Sequence, residues 1–327
     1  MMATAGEKTD SLVRLQLELT LAYDVRDPDG ADFVFNIHAA RTPQQSVEHE
    51  RLVLSQDIVP EILTDPGTAT RFMRLHAAPG PLQVSYAATV DLTHHCADPE
   101  SLAEVPVRLL PLEVIPYIYP SRYCQSDRLL KLAFDEFGQL WPGYSRVLAI
   151  QHWVQEHVTF ASNTSNSSTS AVDTLIERVG VCRDFTHLMI ALCRALSIPA
   201  RVATGTDYGA SLSLGPPDFH AYVEVYLDHR WYIFDASGTG IPMGFVRFGT
   251  GRDAADVAFA TIFGNVYAMA PVIDIRALEG EGLEAPQHRR EALSTAAGSS
   301  YPTIDRRTRA KDPGSPVSPG RSTQLPD

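Results

Sequence analysis

The sequence predicts an α+β protein: an antiparallel β-sandwich, then a mixed α+β domain, then a disordered tail. Three observations carry this reading. Apolar and polar residues alternate from Val13 to Leu92, the apolar period becomes helical from Ser126, and Leu283–Asp327 holds six prolines and little bulky apolar content. Alternation marks half-buried strands, a 3.6-residue period marks amphipathic helices, and proline-rich polar composition cannot build a core. A length of 327 residues allows about two domains. We expect residues 1–120 to form the β domain and its connector, 121–282 the second domain, and 283–327 the tail.

Val13, Leu15, Leu17, Leu19, Leu21 and Tyr23 alternate with polar partners, which makes a strand with one buried face. Asp27-Pro28-Asp29-Gly30 is a turn, and Phe33, Phe35 and Ile37 continue a hairpin. Weaker strands are expected at Glu48–Ser55 and Thr70–Ala77, and a clean one over Leu82–Leu92. Five prolines between residues 96 and 125 describe a connector laid over the surface. Leu129, Leu130, Ala133 and Phe137 form the first helical stripe. Ser145 is the expected N-cap of a helix bearing Val147, Ile150, Val154 and Val158. Thr174 and Glu177 have capping-box spacing for a short helix, with Gly180 at its C′ position. A strongly apolar helix then begins around Cys182 and ends at Ser197-Ile198-Pro199. Strands are expected at Arg201–Thr206, His220–Leu227 and Arg230–Asp235, the last two joined by a turn at Asp228-His229.

Cys182 is the sharpest chemical signal. It follows a glycine break and opens a helix, where unpaired N–H groups and the positive end of the dipole favour a thiolate. The same groups can stabilise an oxyanion beside the sulfur. A nucleophilic thiol needs a base, and the base needs an orienting acceptor. A two-residue turn at Asp228-His229 pairs Leu227 with Arg230 and Tyr222 with Asp235, so His220 and Asp235 become diagonal neighbours on one face. That suits an Nδ1–H to carboxylate bond. A three-residue turn would put them on opposite faces.

Gly180-Val181-Cys182-Arg183-Asp184-Phe185-Thr186-His187-Leu188 resembles the signature of the bacterial transglutaminase-like superfamily, as do Ile198-Pro199-Ala200-Arg201-Val202, Asp218-Phe219-His220-Ala221-Tyr222-Val223-Glu224-Val225 and Trp231-Tyr232-Ile233-Phe234-Asp235. The resemblance covers about residues 125–240, and the preceding all-β segment looks like the N-terminal domain that often accompanies these bacterial domains. It implies a papain-like α+β fold, with Cys182 as nucleophile, His220 as general base and acid, and Asp235 as the residue that orients the histidine. Members of the family also use a side-chain oxyanion donor. Trp153 sits on an apolar helical face and Trp141 precedes that helix, and neither is assigned this role.

Other features point elsewhere. Cys193 lies eleven residues after Cys182, about 16 Å along a helix, too far for a disulfide. His94-His95-Cys96 has no second ligand cluster nearby, so no metal is expected, and the proposed chemistry calls for no cofactor. Asp184 is expected to pair with Arg201 or Arg183. The net charge of −12 argues against nucleic acid and anionic membranes as partners. No export signal or transmembrane stretch is visible, and four cysteines do not make a disulfide scaffold, so a cytoplasmic setting with free thiols is expected. The expected activity is thiol-dependent acyl-enzyme chemistry on amide bonds of a protein or peptide, hydrolytic rather than amine-transferring. Glutamine-directed transfer and a non-catalytic binding module of the same fold are the alternatives.

Overall fold

The computed structural model describes residues 12–209 and 218–296. Seven strands come first: β1 (Leu12–Val25), β2 (Ala31–Phe35), β3 (Gln45–Leu54), β4 (Glu61–Thr64), β5 (Arg71–Ala77), β6 (Gly80–Thr93) and β7 (His95–Ala97). After a connector of short 3-10 turns come α1 (Leu130–Phe137), α2 (Tyr144–His157), β8 (Thr159–Phe160), α3 (Ala171–Glu177), β9 (Val179–Gly180), α4 (Cys182–Ala195), β10 (Ala200–Asp207), β11 (His220–Leu227) and β12 (Arg230–Phe234). The described chain ends with β13 (Phe245–Gly251), α5 (Ala254–Val257), β14 (Ala260–Phe263), β15 (Val266–Ala268), β16 (Val272–Ala277) and β17 (Ala292–Ser294).

The alternating residues of β1 and β6 do what their period requires. Val13, Leu15 and Leu17 are fully buried and face Phe33 and Phe35 of β2. One sheet runs β15-β1-β6-β3, with β16 also on β1, and the other runs β14-β2-β5-β4. The sandwich therefore includes β14, β15 and β16, which lie within the span expected for the second domain. After the second domain's sheet the chain returns: Ile273 and Ile275 pair with Leu19 and Leu17 of β1. These strands are short and hold a single buried residue, Ile273, so they carry little periodic signal.

The second domain stands on a four-stranded antiparallel sheet, β12-β11-β10-β13. Every residue of α4 from Asp184 to Ala195 is buried, and Leu188, Leu192 and Ile190 share a core with Val223 and Val225 of β11. A helix buried all round is a core helix. Val246 and Phe248 of β13 enter the sandwich core, so the two domains share apolar contact rather than a bare linker.

Several expected boundaries shift. The cap of α2 is Gly143, not Ser145; its φ of +144° and an approach of 2.7 Å between a built Cβ and the Leu102 carbonyl oxygen leave room only for glycine. The capping box of α3 is Ser170 with Asp173 rather than Thr174 with Glu177. Arg178, at φ +56°, supplies the left-handed C-cap that Gly180 was expected to supply. Part of the expected disordered tail is packed: β17 pairs with β7, and residues 292–296 are buried. A three-residue strand is too short to stand out from a proline-rich context. The remainder of the expected tail, 297–327, lies outside the described residues.

Candidate active site

Cys182 is the first residue of α4. Its neighbour Val181 has extended backbone, and the Val181 N–H donates to Asp184 Oδ2 at 2.9 Å. Asp184 also accepts from Ser165 Oγ at 2.8 Å and pairs with Arg183 rather than Arg201. This buried carboxylate closes the N-terminus of the helix and explains Gly180, where a Cβ would come 2.7 Å from the Asp184 Cβ. Of the first-turn N–H groups, that of Asp184 donates to the Val181 carbonyl at 2.8 Å, whereas those of Cys182 and Arg183 have no carbonyl four residues back within the helix and lie beside the half-buried thiol.

The other two residues arrive through the hairpin. Leu227 pairs with Arg230 and Val223 with Phe234, the register of a two-residue turn. Asp228 and His229 have φ of +43° and +63°, as a type I′ turn needs. His220 at the start of β11 and Asp235 just past β12 therefore meet, with His220 Nε2 at 3.5 Å from Asp235 Oδ1. The nitrogen differs from the expected one. Nε2, not Nδ1, faces the carboxylate, which leaves Nδ1 as the ring nitrogen available to Cys182. The register set which residues meet, but ring orientation depends on the far side of the imidazole, where the thiol sits.

Electrostatics reinforce the grouping. Burial pulls His220 down, but Asp235 and Cys182 hold its imidazole well above its ordinary range. Burial likewise pushes Asp235 up, yet His220, the Gly240 N–H and Ser237 keep its carboxyl below the usual range. Gly240 N donates to Oδ2 at 2.7 Å, and Ser237 donates to Oδ1 from both N, at 3.1 Å, and Oγ, at 2.8 Å. Asp235 is thus ionised and fixed before any ligand arrives.

Three further groups support the site: Thr186 and Tyr222, which lie within the quoted motifs, and Asp207, which lies in none. Thr186 Oγ1, fully buried, donates to the Ala221 carbonyl at 3.0 Å and pins the cysteine helix to the histidine strand. Tyr222, edge-on to His220, donates to Asp207 Oδ2 at 3.2 Å, and that oxygen also accepts from Ile241 N at 3.2 Å. Asp207 is buried and its carboxyl is pushed up by that burial, against the pull of His220. The signal that could have found Asp207 is its place at the end of β10, beside the start of β11.

Gly240 sits where these networks touch. A Cβ there would lie 2.4 Å from both Asp207 Oδ2 and the Tyr222 hydroxyl. Gly240→Ala should displace the N–H that Asp235 accepts and lower any Cys182-dependent turnover by about tenfold or more, at little change in helix content by circular dichroism. Wild-type turnover in that variant would show that the loop plays no positioning role.

No disulfide joins the cysteines among the described residues. Cys124 and Cys193 are fully buried, and burial pushes the Cys124 thiol up to about 12 and raises Cys193 as well. Trp153 lies edge-on to Phe137 and stacks on His157, a packing role, whereas Trp141 is exposed.

Residues 135–236 match the family model of the transglutaminase-like superfamily, and residues 13–113 that of the bacterial transglutaminase N-terminal domain. The crystal structure of a candidate cysteine protease from Cytophaga hutchinsonii superposes with a TM-score of 0.80 at 42% identity, over 86% of this chain and 97% of that one. An uncharacterized protein of Mycobacterium leprae is 27% identical over 124 residues, 34% of this chain and 42% of its own length. One from Mycobacterium tuberculosis is 28% identical over 144 residues, 39% of this chain and 45% of its own. The chain thus spans less than half the length of these two curated relatives.

Proposed function

Because the chain belongs to the transglutaminase-like superfamily, we propose that it is a thiol-dependent acyl-transfer enzyme in which Cys182 is the nucleophile, His220 the general base and acid, and Asp235 the residue that orients the histidine. The observation that carries this reading is the convergence of the three groups. A half-buried thiol opens a helix, and beside it lies a buried imidazole raised in basicity by the thiol and by a fixed carboxylate.

The chemistry follows from those positions. The Cys182 proton passes to His220, giving a thiolate and an imidazolium that Asp235 stabilises. The thiolate attacks the carbonyl carbon of an amide, and the N–H groups of Cys182 and Arg183 at the start of α4 answer the developing oxyanion. The C–N bond breaks as His220 returns its proton to the departing amine, leaving a thioester on Cys182. Water, deprotonated by His220, then cleaves the thioester and releases the acid. A primary amine in place of water would give a new amide, the transferase outcome. We favour water, because a second amine site is an added requirement for which no residue pattern speaks.

Incubation with a glutamine-containing protein and a labelled primary amine separates the two outcomes. Ammonia release or backbone cleavage without label supports hydrolysis. Incorporated label overturns it.

A further inference from the structure

The face of the catalytic sheet turned away from α4 holds a charge arrangement that the proposed reaction does not use. Arg201 on β10 and Arg247 on β13 share one carboxylate, Glu224 on β11. Arg201 Nε donates to Glu224 Oε2 at 2.7 Å, while the Arg247 guanidinium donates to Oε1 and, at 2.8 Å, to Thr295 Oγ1. Glu224 is wholly buried and Arg247 is 2% exposed. Burial would raise Glu224, but the two arginines draw its carboxyl down to about 2, so it is ionised. One negative charge therefore answers two positive ones, Arg247 buried and Arg201 partly buried. Arg247 Nε is buried and has no hydrogen-bond partner.

A cavity of about 380 Å³ opens at this point. Its walls come from both domains: Arg201, Arg247 and Trp231 from the sheet, Tyr117 from the connector, and Arg41 and the turn around Thr68 from the sandwich. The Arg201 guanidinium lies 4.2 Å over the Trp231 ring and 5.6 Å from the Tyr117 ring, which fixes its plane. Arg41 is paired at 3.1 Å with Glu50, which Arg71 also engages, so this second cluster too has more arginine than carboxylate. Among the described residues, Glu113 is the one acidic side chain that lines the cavity, and it is exposed. None of Cys182, His220 and Asp235 lines it.

An unanswered buried cation is costly, and an anion placed against it recovers that cost. Planar guanidinium groups fit the paired oxygens of carboxylates and phosphates. We propose that this interdomain cavity binds a small oxyanion-bearing ligand, a carboxylate or phosphate compound, through Arg41, Arg201 and Arg247. Because the sandwich and the catalytic sheet both line the cavity, the ligand would fasten the two domains together.

Thermal unfolding of the full chain tests this, with sodium phosphate and sodium succinate titrated separately at ionic strength held constant with sodium chloride. The midpoint should rise saturably with at least one of them, and the arm that saturates at lower concentration identifies the preferred anion. Arg41→Gln and Arg201→Gln should each raise the half-saturating concentration by about tenfold or more, the loss of one charge-assisted contact. Arg41 is 61% exposed, so its variant keeps the test open should Arg201→Gln fail to fold. Cys182→Ala should bind as wild type, which separates this site from the acyl-transfer reading. A midpoint that follows ionic strength alone, or Arg41→Gln that saturates like wild type, would overturn the proposal.

Discussion

Cys182→Ala should abolish amide turnover, by about a thousandfold or more, while leaving the fold intact. The side chain is half-buried at the first turn of α4, so losing the sulfur removes little core volume, in contrast to Cys193, which is fully buried on the same helix. Replacing Cys193 should cost stability and spare the chemistry. A melting temperature near wild type together with lost activity is the expected pair of results for Cys182→Ala. Retained activity would move the nucleophile elsewhere.

Asp235→Asn should be the second large effect. Asparagine keeps the shape but not the charge that His220 and the Gly240 N–H meet. In the related geometry of hydrolytic triads this exchange lowers turnover by about 10⁴-fold, and a loss of about 10²- to 10⁴-fold is expected. The pH response has a definite sign. His220 is raised above its unfolded value by Asp235 and Cys182 against the pull of burial. The stability this provides is complete below the unfolded histidine pKa and disappears as pH rises through the higher folded value. Asp235 is lowered instead, so its share is present above the unfolded carboxylate pKa and disappears as pH falls through the folded one. Asp235→Asn should therefore destabilise most near pH 6 and less in strong alkali. Its activity profile should lose the alkaline limb at lower pH than wild type, because an unsupported imidazolium gives up its proton sooner. Unfolding midpoints and rates measured across pH check both signs. A difference independent of pH would mean that the charge pair is not formed.

Much of this site was legible because it rests on local rules. Gly180-Val181-Cys182 announced a helix start, and the two-residue turn at Asp228-His229 set the register that brings His220 to Asp235. Contacts between distant segments left no such trace. Asp207 and Gly240 are separated by 33 positions and meet only because β10 ends beside the loop after Asp235. Gly180 looked like a helix cap because glycine usually relieves backbone strain there, yet its role is to admit the Asp184 side chain. Strands β14 to β17 failed to show because each is six residues or shorter and finds its partner far back in the chain, in the sandwich for β14 to β16 and on β7 for β17. The anion cavity was invisible for the same reason, since Arg41 lies in the loop after β2 while Arg201 and Arg247 stand on β10 and β13.

The central claim is that Cys182 and His220 act as a thiolate–imidazolium pair. The most direct measurement is the rate of iodoacetamide alkylation at pH 6, followed residue by residue by mass spectrometry. The account predicts rapid modification of Cys182, well ahead of a small free thiol and of buried Cys124 and Cys193, and marked slowing in His220→Ala. Labelling of Cys182 no faster than a free thiol, or unchanged in His220→Ala, would contradict it.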